Sequence, residues 1–368
     1  MNSLPPLNHN VYILGAGFSH EAGFPLMADF MDKMQECQRW LATQSFADDN
    51  QIEVFNTVFE FQRTANSACA KINIDPNNIE DLFSLASASF NKPLQKALIS
   101  ALAQTINYAD TNKYLDKHLF RLLTRDGTVI AENNQDVYSV YAQTITGKFR
   151  DNRGPVHQHY PESCNTIITF NYDTLLEETF YSINEPFNYG FDSGGCILQD
   201  SSISSKEENS TPILKIHGSV NWGGKKVFRN FSELTEANEV PLIIPPTWQK
   251  TIDANLVRVW SKAVEALSTA KNIIIIGFSI PQTDVHFKYL VAAGLRNNTL
   301  LRKVFFVNPG LSDKTGSQLK ENLYSIFRRD IGGVDIVFKE RFVRDFLTNS
   351  DCLNEINRLP ANNLIGFI

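Results

Sequence analysis

Short apolar runs, each closed by a polar or glycine-rich turn, recur along this chain. Val11 to Leu14 stops at Gly15-Ala16-Gly17, and Thr166 to Phe170 at Asn171-Tyr172-Asp173. Ile213 to Ile216 stops at His217-Gly218, Ile273 to Ile276 at Gly277-Phe278-Ser279, and Val304 to Val307 at Asn308-Pro309. Unbroken apolar runs of this length predict strands covered on both faces, as in a parallel sheet. Leu242 to Ile244, stopped by Pro245-Pro246, and Val334 to Phe338 are further strand candidates.

Elsewhere the period becomes helical. Leu26, Phe30, Met34, Cys37 and Leu41 share one face of a helix, as do Leu94, Leu98, Leu102 and Ile106. Asn78 predicts an N-cap for a helix with Ile79, Leu82, Phe83 and Ala86 on its inner side. Residues 112–150 also read as helical around a polar turn at Arg125 to Gly127, so 27–160 is expected to be mainly helix. Further helices are expected through Leu175, Leu176 and Phe180, through Leu256, Trp260, Ala263 and Leu267, through Phe287, Leu290 and Val291, and over Phe342 to Leu347. Residues 184–210, rich in Gly, Ser, Asn and acids, predict an irregular exposed insertion.

Strand, polar turn and helix in repetition predict an α/β fold, a doubly wound Rossmann-like parallel sheet with a large helical insertion domain. The expected division is 1–30 with 161–368 as the sheet domain and 31–160 as the insertion. Such a sheet gathers the carboxyl ends of its strands at one edge, where ligands bind. The polar strand ends are therefore the candidate site.

Their chemistry is specific in kind. Gly15-x-Gly17 is either an ordinary turn or a place where a phosphate approaches the backbone, and it falls short of the full dinucleotide fingerprint because position 20 is histidine. Asn171 can donate and accept hydrogen bonds but is no strong base, which suits orienting ribose hydroxyls or a water. Asp173 either caps the next helix or enters the site. His217 is either a buried structural histidine or a proton acceptor near neutral pH. Asp284, beside Thr283, caps a helix or holds a ribose. His20 and His286 follow other strand ends. His157 and His159 have no Cys or carboxylate partner at ligand spacing, so no metal is expected.

The bulk numbers narrow the classes. With 34 basic and 40 acidic residues the net charge is -6, which gives no general electrostatic reason to bind nucleic acid. Five scattered cysteines without a Cys-x-x-Cys pair fit reduced thiols in a cytoplasmic protein. No signal-peptide pattern opens the chain, and no apolar run is long enough to span a bilayer.

Taken in order, these motifs resemble the Sir2 (sirtuin) family. The segment Gly15-Ala16-Gly17-Phe18-Ser19-His20-Glu21-Ala22-Gly23-Phe24-Pro25 is similar to its nucleotide loop. Thr169-Phe170-Asn171-Tyr172-Asp173 is similar to its Thr-Gln-Asn-Ile-Asp motif, His217-Gly218 to its catalytic histidine and glycine, and Gly277-Phe278-Ser279 to its Gly-Thr-Ser turn. Asn308 stands where the family has an asparagine after the next strand. The resemblance implies NAD as substrate, Asn171 and His217 as catalytic residues, and Gly15, Ala16, Gly17, Ser19, Phe24, Asp173, Gly277, Ser279, Asp284 and Asn308 around the nucleotide. The four-cysteine zinc ribbon of the protein deacylases is missing, as is the arginine of their Asp-Phe-Arg segment. These departures look like the bacterial Sir2-like branch used in anti-phage defence. That branch implies an NAD+ hydrolase, a homo-oligomer, and a protein partner such as a HerA-type ATPase. A deacylase or ADP-ribosyltransferase, or a module that senses NAD or ADP-ribose, are the alternatives.

Overall fold

A computed structural model describes residues 8–45, 49–69, 71–72, 74–124, 129–151, 154–157, 163–191, 210–224, 226–244, 254–281, 285–330, 332–348 and 363–367. Strand β1 (Asn8–Leu14) leads into the short helix α1 (Ala16–His20). Four helices follow: α2 (Phe30–Leu41), α3 (Asp49–Cys69), α4 (Ile79–Ala88) and α5 (Lys92–Thr111). Next come β2 (Lys117–Thr124), β3 (Val129–Asp136), α6 (Val137–Thr146), β4 (Lys148–Asp151) and β5 (Gly154–His157). The chain returns through β6 (Ser163–Thr169), α7 (Leu175–Ser182), β7 (Phe187–Asn188), β8 (Thr211–Lys215), α8 (Phe231–Glu236) and α9 (Ala254–Thr269). It ends with β9 (Asn272–Ile276), α10 (Val285–Leu295), β10 (Lys303–Val307), a 3-10 turn at Pro309–Leu311, α11 (Gly316–Tyr324), β11 (Asp335–Lys339), α12 (Val343–Thr348) and β12 (Asn363–Phe367).

The main sheet runs β11-β10-β9-β1-β6-β8-β7, and every pairing in it is parallel. Leaving aside the two-residue edge strand β7, this is the Rossmann order. The chain steps outward from β1 through β6 and β8, then crosses back to build β9, β10 and β11 on the other side. The doubly wound α/β expectation is met. Ile273, Ile274, Ile275 and Ile276 are all fully buried, although successive side chains point to opposite faces. That is why the run shows no alternation. At the amino ends of the central strands a ladder of asparagines ties β9, β1 and β6 together. Asn272 Nδ2 donates to Asn10 Oδ1 at 2.8 Å, and Asn10 Nδ2 donates to Asn165 Oδ1 at 2.9 Å. His9, one residue earlier, bonds Thr269 and Thr166 through its two ring nitrogens, and burial pulls its pKa down to about 4.

The helices α2, α4 and α5 form as their spacing predicts. Asn78 Oδ1 accepts from the Glu80 N–H at 2.9 Å, and Ile79, Leu82, Phe83 and Ala86 are buried. Leu26 lies outside its expected helix, which starts at Phe30. The helical reading of 112–150 is corrected. Among the described residues, β2 (Lys117–Thr124) pairs antiparallel with β3 (Val129–Asp136), β12 adds to β2, and only 137–146 is helix. β12 comes from far along the chain, so no local period reports its pairing with β2. Leu242 to Ile244 is not a strand either. Pro241 and Pro245 flank it, and its one bridge is Gly218 to Ile243. Within 184–210, residues 187–191 are not exposed: Phe187, Tyr189 and Phe191 are buried, the last two packed edge-on against Trp222. Residues 192–209 lie outside the described residues.

Candidate active site

A cleft of about 580 Å³ opens at the carboxyl ends of β1, β6, β9 and β10, where the winding direction reverses. That is the size and place at which parallel sheets bind small molecules. Its floor carries Ala16, Gly17, Asn171, Asp173, His217, Gly277, Ser279 and Asn308. Phe24 and Met27 line it, and α4 and α5 bring Ile79, Phe83, Leu102 and Ile106 over it. Ten of the predicted site residues are thus Gly15, Ala16, Gly17, Ser19, Phe24, Asp173, Gly277, Ser279, Asp284 and Asn308, and seven of these ten line the cleft beside both Asn171 and His217. Asp284 lies outside the described residues.

Gly15 and Ser19 are buried just behind the residues that line the cleft. The Gly15 N–H donates to Ile276 O, and a Cβ there would lie 2.7 Å from Gly277 O. Gly17 N–H donates to Gly277 O at 2.8 Å, and Gly277 sits at φ +63 with its Cα against the Gly17 backbone. The glycines let two loops lie backbone on backbone. The Gly15, Gly17 and Phe18 N–H groups are bonded to internal carbonyls, at Ile276, Gly277 and Gly15. After Gly277 the strain continues. Ile280 holds φ 52, costly for a β-branched residue, with its side chain buried to offset it.

Ser19 instead works from beneath. Asn171 Nδ2 donates to Gly15 O at 2.9 Å and to Ser19 Oγ at 3.1 Å. Both amide hydrogens of Asn171 are therefore committed. What it can offer a ligand is the carbonyl Oδ1, an acceptor only. Asp173 also accepts from the Leu175 N–H at 3.1 Å, so its capping expectation holds while it faces the cleft. Its pKa is raised by burial, against the opposing pull of the Lys215 ammonium, Ser19 and the Leu175 N–H.

His217 is 4% exposed and walled by aromatic rings, Phe170 edge-on at 5.2 Å and Tyr172 stacked at 6.2 Å. Its backbone is fixed on both sides. Trp260 Nε1 donates to Ile216 O at 3.1 Å, and the Ile244 N–H donates to His217 O at 2.8 Å. Gly218, at φ +81, lets segment 241–244 close in. A Cβ there would stand 2.0 Å from Leu242 O. Asn308 accepts from the Gly310 N–H at 2.9 Å, and Asn322 Nδ2 holds Ser279 O at 3.1 Å.

His20 lines the cleft with its Nδ1 against Phe24 O at 2.9 Å, whereas His286 packs on Trp260. Sequence reasoning missed Glu21 and Glu80 on the lining, and also the apolar contribution of α4 and α5. Only the helix faces could have pointed to the latter. The described lining holds no lysine or arginine. Among the described residues no group of three His, Cys, Asp or Glu can hold a metal; His159 and the His157 side chain lie outside them. No helix of the described residues is long and apolar enough to cross a membrane.

Residues 165–325 match the family model of the SIR2-like domain. That span carries Asn171, Asp173, His217, Gly277, Ser279 and Asn308. Among solved structures the chain is similar to two variants of a Sir2 homologue in complex with ADP-ribose. The histidine-to-asparagine variant has 11% identity and a TM-score of 0.39, covering 95% of this chain and 92% of that one. The phenylalanine-to-alanine variant has 12% identity and a TM-score of 0.41, with coverage of 95% and 92%. A Sir2 bound to an inhibitor, 2′-O-acetyl-ADP-ribose and a deacetylated p53 peptide has 12% identity and a TM-score of 0.35, covering 92% of this chain and 90% of that one. No curated protein matches the chain.

Proposed function

We propose that this protein is an NAD+ hydrolase that cleaves the nicotinamide–ribose bond in the cleft. The observation that carries the reading is the meeting of an acceptor-only Asn171 and the buried His217 at the topological switch point, inside the SIR2-like span. The adenosine half lies along Gly277, Ser279 and Asn308, the pyrophosphate along Ala16 and Gly17, and the nicotinamide ribose between Asn171 and His217. With no lysine or arginine on the described lining, the diphosphate relies on backbone dipoles and solvent.

Nicotinamide leaves as a neutral group from a cationic ring, so its departure needs no strong acid. Asn171 Oδ1 accepts a hydrogen bond from the attacking water or a ribose hydroxyl. His217 takes the proton released as water adds to C1′. The products are nicotinamide, ADP-ribose and one proton. The assay is nicotinamide release from NAD without any acyl-lysine peptide. His217→Ala is expected to lower kcat by about 10² to 10⁴. Turnover within a few-fold of the parent for both His217→Ala and Asn171→Ala would refute the assignment.

The SIR2-like match supports a second enzyme reading equally well, a deacylase or ADP-ribosyltransferase. The apolar lobe under α4 and α5 leaves room for an acyl group or acceptor. Consumption of an acetyl-lysine peptide in step with NAD would select it. Tight ADP-ribose binding with no turnover would select a sensor module instead. The wider setting rests on the motif resemblance: a cytoplasmic, NAD-depleting effector of anti-phage defence, a homo-oligomer, beside a partner such as a HerA-type ATPase. In it, 1–30 with 161–368 forms the catalytic unit and 31–160 roofs it. Light scattering at micromolar concentration tests the oligomer.

A further inference from the structure

One edge of the main sheet ends in β11, and among the described residues no strand pairs with its outer side. The opposite edge, β7, is two residues long, whereas β11 offers five: Asp335, Ile336, Val337, Phe338 and Lys339. An edge strand presents a row of backbone donors and acceptors, and folded proteins blunt such rows with charges, proline or a bulge. The middle of β11 has none of these. Ile336, Val337 and Phe338 are only half-buried, whereas Ile273 to Ile276 of the central β9 are fully buried. The ladder to β10 fixes which backbone groups point outward. The Asp335 N–H donates to Arg302 O at 2.8 Å, and Lys339 O accepts from the Asn308 N–H at 3.1 Å, so both residues bond on the β10 side. The direction alternates along a strand. Val337 therefore also faces β10, while Ile336 and Phe338 turn their N–H and C=O outward.

A second copy of the same strand fits this edge. When it runs antiparallel about a two-fold axis at Val337, Ile336 lies opposite Phe338 of the second copy. Their outward groups then exchange both N–H···O=C bonds, on each side of the axis. Val337 meets its own copy, and Asp335 meets Lys339 at both ends. These last are the pairs without backbone bonds, in which facing side chains come closest. The strand is thus complementary to itself in backbone, in apolar side chains and in charge. We propose that β11 is a homodimer interface: two copies pair their β11 strands antiparallel about Val337 and join their main sheets into one. A two-fold contact of this kind uses the same patch on both copies and closes on itself. Five residues a side bury less than the roughly 1,200 Å² of a stable interface, so flanking side chains must join the contact. Phe338 has Lys320 and Tyr324 of α11 beside it, so α11 borders the seam. Because the paired strands run in opposite directions, the two clefts open at opposite edges of the joined sheet. The proposal does not depend on what the cleft catalyses.

The test is light scattering at micromolar concentration on the parent, Asp335→Lys, Lys339→Glu, an equal mixture of these two, and the double variant carrying both. Each single variant sets like charges opposite one another at both ends of the pair and is expected to weaken dimerisation about tenfold or more. The mixture re-forms dimers, because one copy of each kind restores opposite charges at both ends, and this recovery also shows that the single variants fold. The double variant, with its charges exchanged, dimerises like the parent. Val337→Cys, on the axis, is expected to cross-link to itself under mild oxidation. Ile336→Cys, which faces Phe338, stays at the background that the parent's five cysteines give. A monomeric parent overturns the proposal. An oligomer whose size ignores the charge variants overturns it too, since association then uses another surface. Where a single variant does not fold, the cysteine pair decides, and Val337→Cys cross-linking no more than Ile336→Cys refutes the interface.

Discussion

Single residues in this site are constrained by backbone contact as much as by ligand chemistry. Gly277 is the sharpest case. At φ +63, a Cβ would stand 2.2 Å from the Phe18 nitrogen. Gly277→Ala is therefore expected to destabilise the fold by roughly 1–3 kcal/mol, the usual cost of a forced left-handed residue. It should also push the Gly15–Gly17 turn away from the sheet and weaken ADP-ribose binding. Urea unfolding and calorimetric titration read the two effects, and a variant equal to the parent in both would contradict the packing argument. The same constraint explains why glycine follows His217. Gly218 is there for the passage of Leu242, while the histidine answers to the cleft. The stretch Gly15-x-Gly17 was legible as important, but its reason was not. The partner that demands the glycines is Gly277, some 260 residues away.

Between elements, ionisable groups act as clasps whose strength follows pH. Lys113 at the end of α5 reaches Asp110 Oδ1 at 3.0 Å and Glu178 Oε2 of α7 at 2.7 Å. Burial, then the nearby Glu178 carboxylate, raise Asp110 to about 7, against the opposing Lys113 charge. The folded state thus holds a proton between pH ~4 and ~7 that the unfolded chain has lost. Its contribution to stability is full below the unfolded value and falls as pH rises, by about 1.4 kcal/mol per pH unit within that window. His9 acts oppositely. Its pKa is lowered, so its contribution is full above the unfolded value near 6.5 and is lost as pH falls toward about 4. The two terms oppose each other over most of the same range and mask one another in the parent. Asp110→Asn removes one. Denaturant unfolding at pH 5, 6 and 7 is expected to show the variant gaining on the parent as pH rises. A difference constant with pH would refute the assignment.

For the whole molecule, the decisive feature is that sheet and helices share one cleft. Loops after β1, β6, β9 and β10 meet side chains of α4 and α5 across it. A ligand that binds only the folded protein stabilises it by about 2.7 kcal/mol at a hundredfold excess over its Kd. ADP-ribose is expected to do so, and to slow hydrogen exchange both in α4 and α5 and at the strand ends. Protection confined to the strand ends would show that the helices take no part in binding.

What the sequence determined alone is the set of elements whose signal is local. The buried strands declare themselves by unbroken apolar runs, because both faces are covered. The helices α2, α4, α5 and α9 declare themselves by a period near 3.6, and Asn78 by its place before one. The polar strand ends could be named as one site because parallel winding sends them all to the same edge. Tertiary structure decided the rest, since the interactions concerned join residues far apart in the chain. It brought β12 onto β2 and left 242–244 as a bridged loop. It set Gly15 and Ser19 behind the cleft lining, through contacts with Gly277 and Asn171. Above all it buried Lys215 with Glu177: the side chains of a strand and a helix become partners only when the fold removes both from water.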